Sequence, residues 1–535
     1  MKNSTFFYIT VLFVLIFTGC TSVEKYNAHS DKKIAVNQLR KDVDFVYKKL
    51  LNNHAKLDFY LSKNLIDKKF DSLKKTIQNP LKPNDFYLKL YPVLRDLRHG
   101  HTDVFPYTKK QSKEEIKRLK DSKGVLGQMT FFWENDSVYL VRSTLKDSLL
   151  KTGSVLLKID DVSPYDLRKK YKNVYYGDGY NATYADNRLN RSFIDYYFTL
   201  EIGVKDSVKF DFKYNGKEYS KMVYRIFPEK KTEEKSDKKD KPTVSNGKNK
   251  PEKFTIKPFE YDYKYSAKTF SKILSFPTND SAFAVLKINN FNFGKYEKTY
   301  KDVFTKIKAY KVKNLVIDLR NNGGGKLADS NLLFNYLVKD NDKFLGEQII
   351  TNSKAIQQSI VDIMPWYAKP IIYPVSLLSF ALTRTNDKGE NYIKPSLSRV
   401  KFKSKDLIFD GNVYVLINGG SYSASVLISS NLKSSNRAYF VGEETGGDAT
   451  GTVAGFMPVY KLPNSKLKLS IGTIFLQPAQ AELFKKGNGI YPDFEIKPTL
   501  KDKQKNIDPE LIWVLTDIKN GNKELKKVVN SSQKN

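Results

Sequence analysis

Apolar side chains recur at three- and four-residue intervals over residues 34–98. The run VNQLRKDVDFVYKKLL sets Val36, Leu39, Val43, Val46 and Leu50 on one face and predicts an amphipathic helix. Pro80 and Pro83 punctuate this segment, and Asn84-Asp85 can cap a further helix in DFYLKLYPVLRDL. From about Gly124 the pattern turns to strands. SVYLVRS and GSVLLKIDDV are β-rich, and VKFDFKYNGKEYSKMVYRI predicts a hairpin turning at Asn215-Gly216. A helical stretch, NATYADNRLNRSFIDYYF, interrupts these strands. From Phe254 strands and helices alternate: AFAVLKINNF, YKDVFTKIKAY, KNLVIDLR, NVYVLING, SYSASVLISSNLK and RAYFVGEETGG. Such alternation predicts an α/β core with parallel strands.

Two segments lack this patterning. Residues 229–253 mix charges of both signs with two prolines and almost no apolar side chains, so they are expected to form a disordered insertion. The amino terminus, MKNSTFFYITVLFVLIFTGC, has a positive Lys2 and an apolar run over 6–17. That run is too short to span a bilayer comfortably and reads as a secretory signal. It ends in Phe17-Thr18-Gly19-Cys20, which resembles the lipobox of bacterial lipoproteins. Cys20 is the only cysteine in 535 residues and stands where a lipidated cysteine must stand. Lipidation there would tether the chain to a membrane.

A single cysteine excludes a disulfide framework, and four histidines (His29, His54, His99, His101) leave little material for a metal site, so no metal or cofactor is expected. The 91 Lys+Arg outnumber the 58 Asp+Glu, for a net charge of +33. The excess is spread along the whole chain and is read as a general surface property, with no nucleic-acid partner expected.

Four short segments could carry chemistry. In VYVLINGGSYSASVLISSNL a buried strand stops at Gly419-Gly420 and a helix begins near Ser423-Ala424. A serine there is exposed at the strand's carboxyl end, beside backbone N–H groups able to bind an oxyanion; helix-capping serines are the ordinary alternative. In NLVIDLRNNGGG a strand ending at Asp318-Leu319-Arg320 runs into three glycines without the rest of a phosphate-binding motif. LRHGHTDV places His101 in a turn after a helix, and GNGIYPD forms a turn before a late strand.

Together and in order, LRHGHT, LVIDLRNNGGG, VLINGGSYSAS, VGEETGG and GNGIYPD resemble the C-terminal processing (tail-specific) peptidases and the tricorn-protease core. The resemblance implies a multidomain chain of α/β and α+β class. Residues 1–19 would be a lipoprotein signal peptide, 20–33 a tether and 34–105 an N-terminal helical domain. Residues 123–228 would form a degenerate, β-rich PDZ-like module with an insertion, followed by the 229–253 insertion. Residues 254–505 would be the α/β (crotonase-like, ClpP-like) serine peptidase core, and 506–535 a C-terminal helix and tail. Ser423 matches the nucleophile; Ala424 with Gly324 or Gly325 matches the oxyanion hole. In the Ser–Lys branch a lysine follows the GExTxG loop, but Asp448 stands at that position, so the dyad is absent. The tricorn-like branch uses a histidine base, matched by His101, and a late glutamate, for which Glu482 lies at a fitting offset. His99 is nearby but off the motif. The implied activity is serine endopeptidase action on peptides or protein tails, by a lipid-anchored protein of the bacterial cell envelope on the outer membrane. A peptide-binding lipoprotein of the same fold without catalysis, or an anionic-surface binder, are the competing readings.

Overall fold

The computed structural model describes residues 22–228 (except 146, 148 and 149), 256–339 (except 265–267, 278–282 and 293) and 343–532. The last stretch has breaks at 353–354, 358–360, 362–363, 366, 379–382, 396–401 and 403. The signal and Cys20, and the low-complexity segment 229–253, lie outside the described residues. Where a polar tether is expected, a short helix, Val23–Ala28, is capped by the Ser22 side chain. Tyr107 Oη donates to the Tyr26 carbonyl at 2.7 Å, fastening it to the body.

Helices α1 (Val36–Asn53), α2 (Lys63–Thr76) and α3 (Pro83–Asp96) form the N-terminal unit. The periodic positions do what their spacing predicts: Leu39, Val43, Val46 and Leu50 are all buried, against Ile66, Phe70, Phe86 and Leu90. After α3 the chain turns sharply at Arg98 (φ 64°), passes through His99 and His101, and enters β1 (Asp103–Phe105).

His99 is buried, with its ring 4.3 Å from that of His54 and its Nε2 3.3 Å from the Leu57 carbonyl. Burial pushes the His99 imidazole down from 6.5 to about 4. A histidine held neutral in the fold but free to protonate when unfolded leaves stability unchanged above pH 6.5. Stability is then lost progressively as the pH falls to about 4. For His99 the loss amounts to ~3 kcal/mol. Urea unfolding should therefore show wild type losing that much relative to His99→Phe between pH 7 and pH 4. A pH-independent difference would contradict a neutral buried imidazole.

Five antiparallel strands follow: β2 (Met129–Glu134), β3 (Ser137–Ser143), β4 (Val155–Ile159), β5 (Ser207–Tyr214) and β6 (Lys217–Tyr224), paired in that order. The β5–β6 hairpin turns at Asn215 and Gly216, both with positive φ, as the Asn-Gly pair predicts. Between β4 and β5 stand α4 (Pro164–Tyr171), α5 (Thr183–Arg191) and α6 (Phe193–Ile202). The stretch expected to be helical is so, as two helices broken at Ser192 so that α6 can bury Phe193, Tyr197 and Phe198.

The second half is built on a seven-stranded mixed sheet. Its members are β7 (Phe259–Lys264), β8 (Thr269–Ser275), β9 (Phe283–Ile288), β10 (Asn314–Asp318), β14 (Asn412–Ile417), β15 (Tyr439–Gly442) and β20 (Phe494–Glu495). The order is β20-β15-β14-β10-β9-β8-β7; the strands from β9 to β20 are parallel and the β7 edge is antiparallel. Strands β10 and β14 are buried almost throughout, which accounts for their continuous apolar runs. Helices α7 (Tyr296–Ala309), α8 (Leu327–Leu337) and α9 (Ala424–Ser434) pack on the sheet, as the α/β expectation requires. Helix α10 (Pro509–Lys519) covers the other face. Arg320, just past β10, binds Asp318 through two N–O contacts of 2.9 Å and reaches Asp508 at 2.7 Å, tying α10 to the end of β10.

Two smaller sheets join the halves. Strands β11 (Ile349–Thr351), β12 (Arg384–Thr385), β13 (Asn391–Ile393), β16 (Thr452–Ala454) and β19 (Ile474–Leu476) pair in the order β12-β13-β11-β19-β16. Strand β1 pairs with β18 (Lys468–Ser470), which pairs with β17 (Val459–Lys461), so the loop bearing His101 is stitched directly to the C-terminal half. No helix among the described residues is long and apolar enough to cross a membrane.

Candidate active site

Strand β14 ends at Ile417, and the chain makes a tight turn before α9. Ser421 Oγ donates to the Leu319 carbonyl at 2.8 Å, Tyr422 N–H to the Asn322 carbonyl at 3.0 Å, and Ser425 Oγ to the same carbonyl at 2.9 Å. These bonds bind the turn to the glycine loop after β10. Ser423 sits at its apex with φ 58° and ψ −121°, a conformation costly for a side-chain-bearing residue. Its side chain makes no capping bond to α9. That removes the ordinary explanation for a serine at a helix start and leaves Oγ free to point elsewhere.

It points at His101. Nε2 lies 3.2 Å from Ser423 Oγ, although the residues are 322 positions apart. On the other side of the ring, Nδ1 is 2.9 Å from Tyr422 Oη and 3.1 Å from Thr452 Oγ1. The rings of His101 and Tyr422 stack with centroids 4.8 Å apart, fixing the imidazole plane. Thr452 Oγ1 donates to Asp178 Oδ2 at 2.8 Å, and Gly100 N–H donates to Asp178 Oδ1 at 2.8 Å. Asp178 Oδ2 itself stands 3.7 Å from His101 Nδ1. The Thr452 hydroxyl proton is directed at Asp178, so its oxygen is free to accept from Nδ1–H. That tautomer leaves the Nε2 lone pair facing Ser423 Oγ. Burial pushes Asp178 upward, but the bonds and charge of His101, with Thr452 and Gly100, hold its carboxyl below the usual aspartate range. It is therefore an anion beside the histidine at neutral pH.

The carboxylate expected to support His101 was Glu482. The structure places Glu482 in an exposed turn, Ala481–Leu483, with no bond to His101 among the described residues, and puts Asp178 there instead. Asp178 lies in YYGDGY, within the insertion between β4 and β5. A Cβ on Gly177 would meet the Gly446 carbonyl at 1.9 Å, and one on Gly179 the Gly487 carbonyl at 2.3 Å. Glycines on both sides therefore let this loop press into the C-terminal half. Asp448, where the Ser–Lys resemblance would put a lysine, is also buried. It accepts from Thr450 N–H, Thr450 Oγ1, Tyr60 Oη and Gly487 N–H at 2.7–2.8 Å, a set that satisfies both oxygens and organises its loop.

Of the expected oxyanion donors, Gly324 N–H is bonded to Asn322 Oδ1 at 2.9 Å. The N–H groups of Gly325 and Ala424 bond to no acceptor among the described residues. Gly324 lies against the nucleophile: a Cβ there would be 2.7 Å from Ser423 Cβ and 2.9 Å from Ala424 N, at a φ of 94°. Gly324→Ala should therefore displace the loop and lower kcat by about 10²–10³-fold, the scale of losing one oxyanion donor. The check is kcat alongside the thermal midpoint; full activity in a folded variant would contradict this arrangement. Among the described residues no three His, Cys, Asp or Glu side chains converge to hold a metal ion.

The geometry can be set beside known proteins. Residues 282–496 match the model of peptidase family S41. The match covers less than half of the 535-residue chain. A curated relative, the carboxy-terminal-processing protease of Bartonella bacilliformis, is 26% identical over 227 residues, 42% of this chain and 41% of the relative. The chain thus matches less than half of that relative's length. Mature CPAF complexed with lactacystin superposes with a TM-score of 0.52 at 13% identity, covering 92% of this chain and 99% of that one. A CPAF mutant gives the same TM-score at 14% identity, covering 88% and 94%. These structures share the fold. The matched segment contains Ser423, Gly324, Gly325 and Thr452, whereas His101 and Asp178 come from outside it.

Proposed function

We propose that this chain is a serine endopeptidase that cleaves peptides or protein tails through an acyl-enzyme, and that Cys20 tethers it to the cell envelope. The observation that carries the catalytic reading is the 3.2 Å approach of His101 Nε2 to Ser423 Oγ. His101 takes the Oγ proton as the oxygen attacks the scissile carbonyl, and then delivers it to the leaving amine. Tyr422 and Thr452 hold the ring, and Asp178, acting through Thr452, favours the imidazolium that forms. The N–H groups of Ala424 and Gly325 face the developing oxyanion. Water then hydrolyses the acyl-enzyme, with His101 as base again. No cofactor is required. The histidine supplies the base that the missing lysine would have provided, so Asp448 at that position does not argue for an inactive protein. The lipobox-like Phe17–Cys20 sequence supports the tether.

The test is mass-spectrometric analysis of a denatured protein pool incubated with the purified chain. New termini that are absent with Ser423→Ala support the reading; an identical pool with and without the wild-type chain overturns it.

A further inference from the structure

Helix α5 forms one wall beside the nucleophile. Asn187 Nδ2 donates to Asn321 Oδ1 at 2.8 Å, and Arg191 Nη1 reaches the Asn321 carbonyl at 3.4 Å, three residues before Gly324. The Tyr184 ring lies 4.9 Å from that of Tyr422. Arg188 stands over the Tyr184 ring at 5.2 Å and donates to its hydroxyl at 3.0 and 3.2 Å. Positions 188 and 191, three apart, share one face of the helix.

These two arginines differ from five others. Arg95, Arg118, Arg168, Arg225 and Arg320 each hold a carboxylate within 3.1 Å. Among the described residues neither Arg188 nor Arg191 forms an ion pair. Both are exposed, and both bond only to neutral oxygens. Burial and the charge of Arg188 lower the Arg191 pKa, whereas at Arg188 burial is outweighed by the Tyr184 hydroxyl, which raises it. The carboxyl that Arg188 does influence, Asp103, is pushed up to about 7 by burial and so compensates the pair poorly. Arg188 spends Nε and one Nη2 hydrogen on Tyr184, over whose ring it lies, and Arg191 one Nη1 hydrogen on Asn321, so the remaining Nη1–Nη2 edge of Arg188 and the Nε–Nη2 edge of Arg191 can each donate paired N–H bonds to a carboxylate.

We propose that Arg188 and Arg191 form a subsite for a carboxylate carried by the peptide substrate, either an acidic side chain or the free C-terminus. The inference rests on the peptidase reading of the same site. Successive spacings of 4.8, 4.9 and 5.2 Å lead from His101 through Tyr422 and Tyr184 to Arg188. At ~3.3 Å per extended residue, that places the carboxylate up to about four residues from the scissile bond. The site would thereby favour acidic or terminal peptide segments.

The test uses four matched fluorogenic peptides: acidic with an amidated end, neutral with a free end, neutral with an amidated end, and basic with an amidated end. For each, kcat/KM is measured on wild type and Kd on Ser423→Ala. At least a tenfold preference for the first or the second over the neutral amide is expected, and which of the two is preferred identifies the source of the carboxylate. The preference should fall below twofold in Arg188→Gln/Arg191→Gln and invert towards the basic peptide in Arg188→Glu/Arg191→Glu. Equal treatment of all four peptides, or a preference retained in the double glutamine variant, overturns the proposal. If wild type hydrolyses none of them while Ser423→Ala still discriminates, the catalytic reading fails and the subsite stands.

Discussion

Ser423→Ala is expected to lower kcat for peptide hydrolysis by about 10⁴–10⁶-fold, the scale on which serine peptidases lose activity when the nucleophile is removed. The reason is local. Ser423 is held at a strained backbone angle with no helix-capping bond, and among the described residues its hydroxyl has one partner, His101 Nε2 at 3.2 Å. His101→Ala should cost a comparable factor, because an unassisted serine hydroxyl is a poor nucleophile at neutral pH. The two losses should not add, since the residues act as one unit. Steady-state kinetics of the two single variants and the double variant check this. A His101→Ala variant with wild-type kcat would show that another group takes the proton.

Asp178→Asn should lower kcat by about 10²–10⁴-fold, with KM little changed, because it acts on the tautomer of His101. In the wild type, Thr452 donates to Asp178 and is left to accept from Nδ1–H. An asparagine at 178 can present its NH₂ to Thr452, turning the hydroxyl proton towards Nδ1. The imidazole would then carry its proton on Nε2 and could no longer accept from Ser423. The comparison that isolates this effect is Glu482→Gln, which should leave kcat within twofold because Glu482 is exposed and away from His101. The opposite ranking of the two variants would restore Glu482 as the supporting carboxylate.

The contrast between these two acids marks where the sequence stops being informative. Positions governed by periodicity are readable from one dimension: Leu39, Val43, Val46 and Leu50 are buried, and Asn215-Gly216 turns the β5–β6 hairpin. The strand-then-glycine pattern places Ser423 and the Gly324 loop together at the carboxyl ends of neighbouring parallel strands. Asp178 has no such signature. Its role exists only because the loop around it closes against the Gly446 and Gly487 carbonyls, 269 and 308 residues on from Gly177 and Gly179, and those two glycines look like any flexible break. Glu482 stands at a fitting offset from Ser423, but spacing alone carries no information on which way a turn faces. Thr452 has no legible signature for a similar reason: its hydroxyl matters because β16 pairs with β19 beside the histidine loop. The division of one helical stretch into α5 and α6 at Ser192 likewise follows from tertiary packing of Phe193 and Tyr197.

The most direct measurement of the central claim is labelling with a fluorophosphonate probe, followed by peptide mapping. The account predicts a single adduct on Ser423 in the wild-type chain, strongly slowed in His101→Ala and absent in Ser423→Ala. A folded wild-type chain that takes up no probe, or an adduct on a different residue, would contradict it.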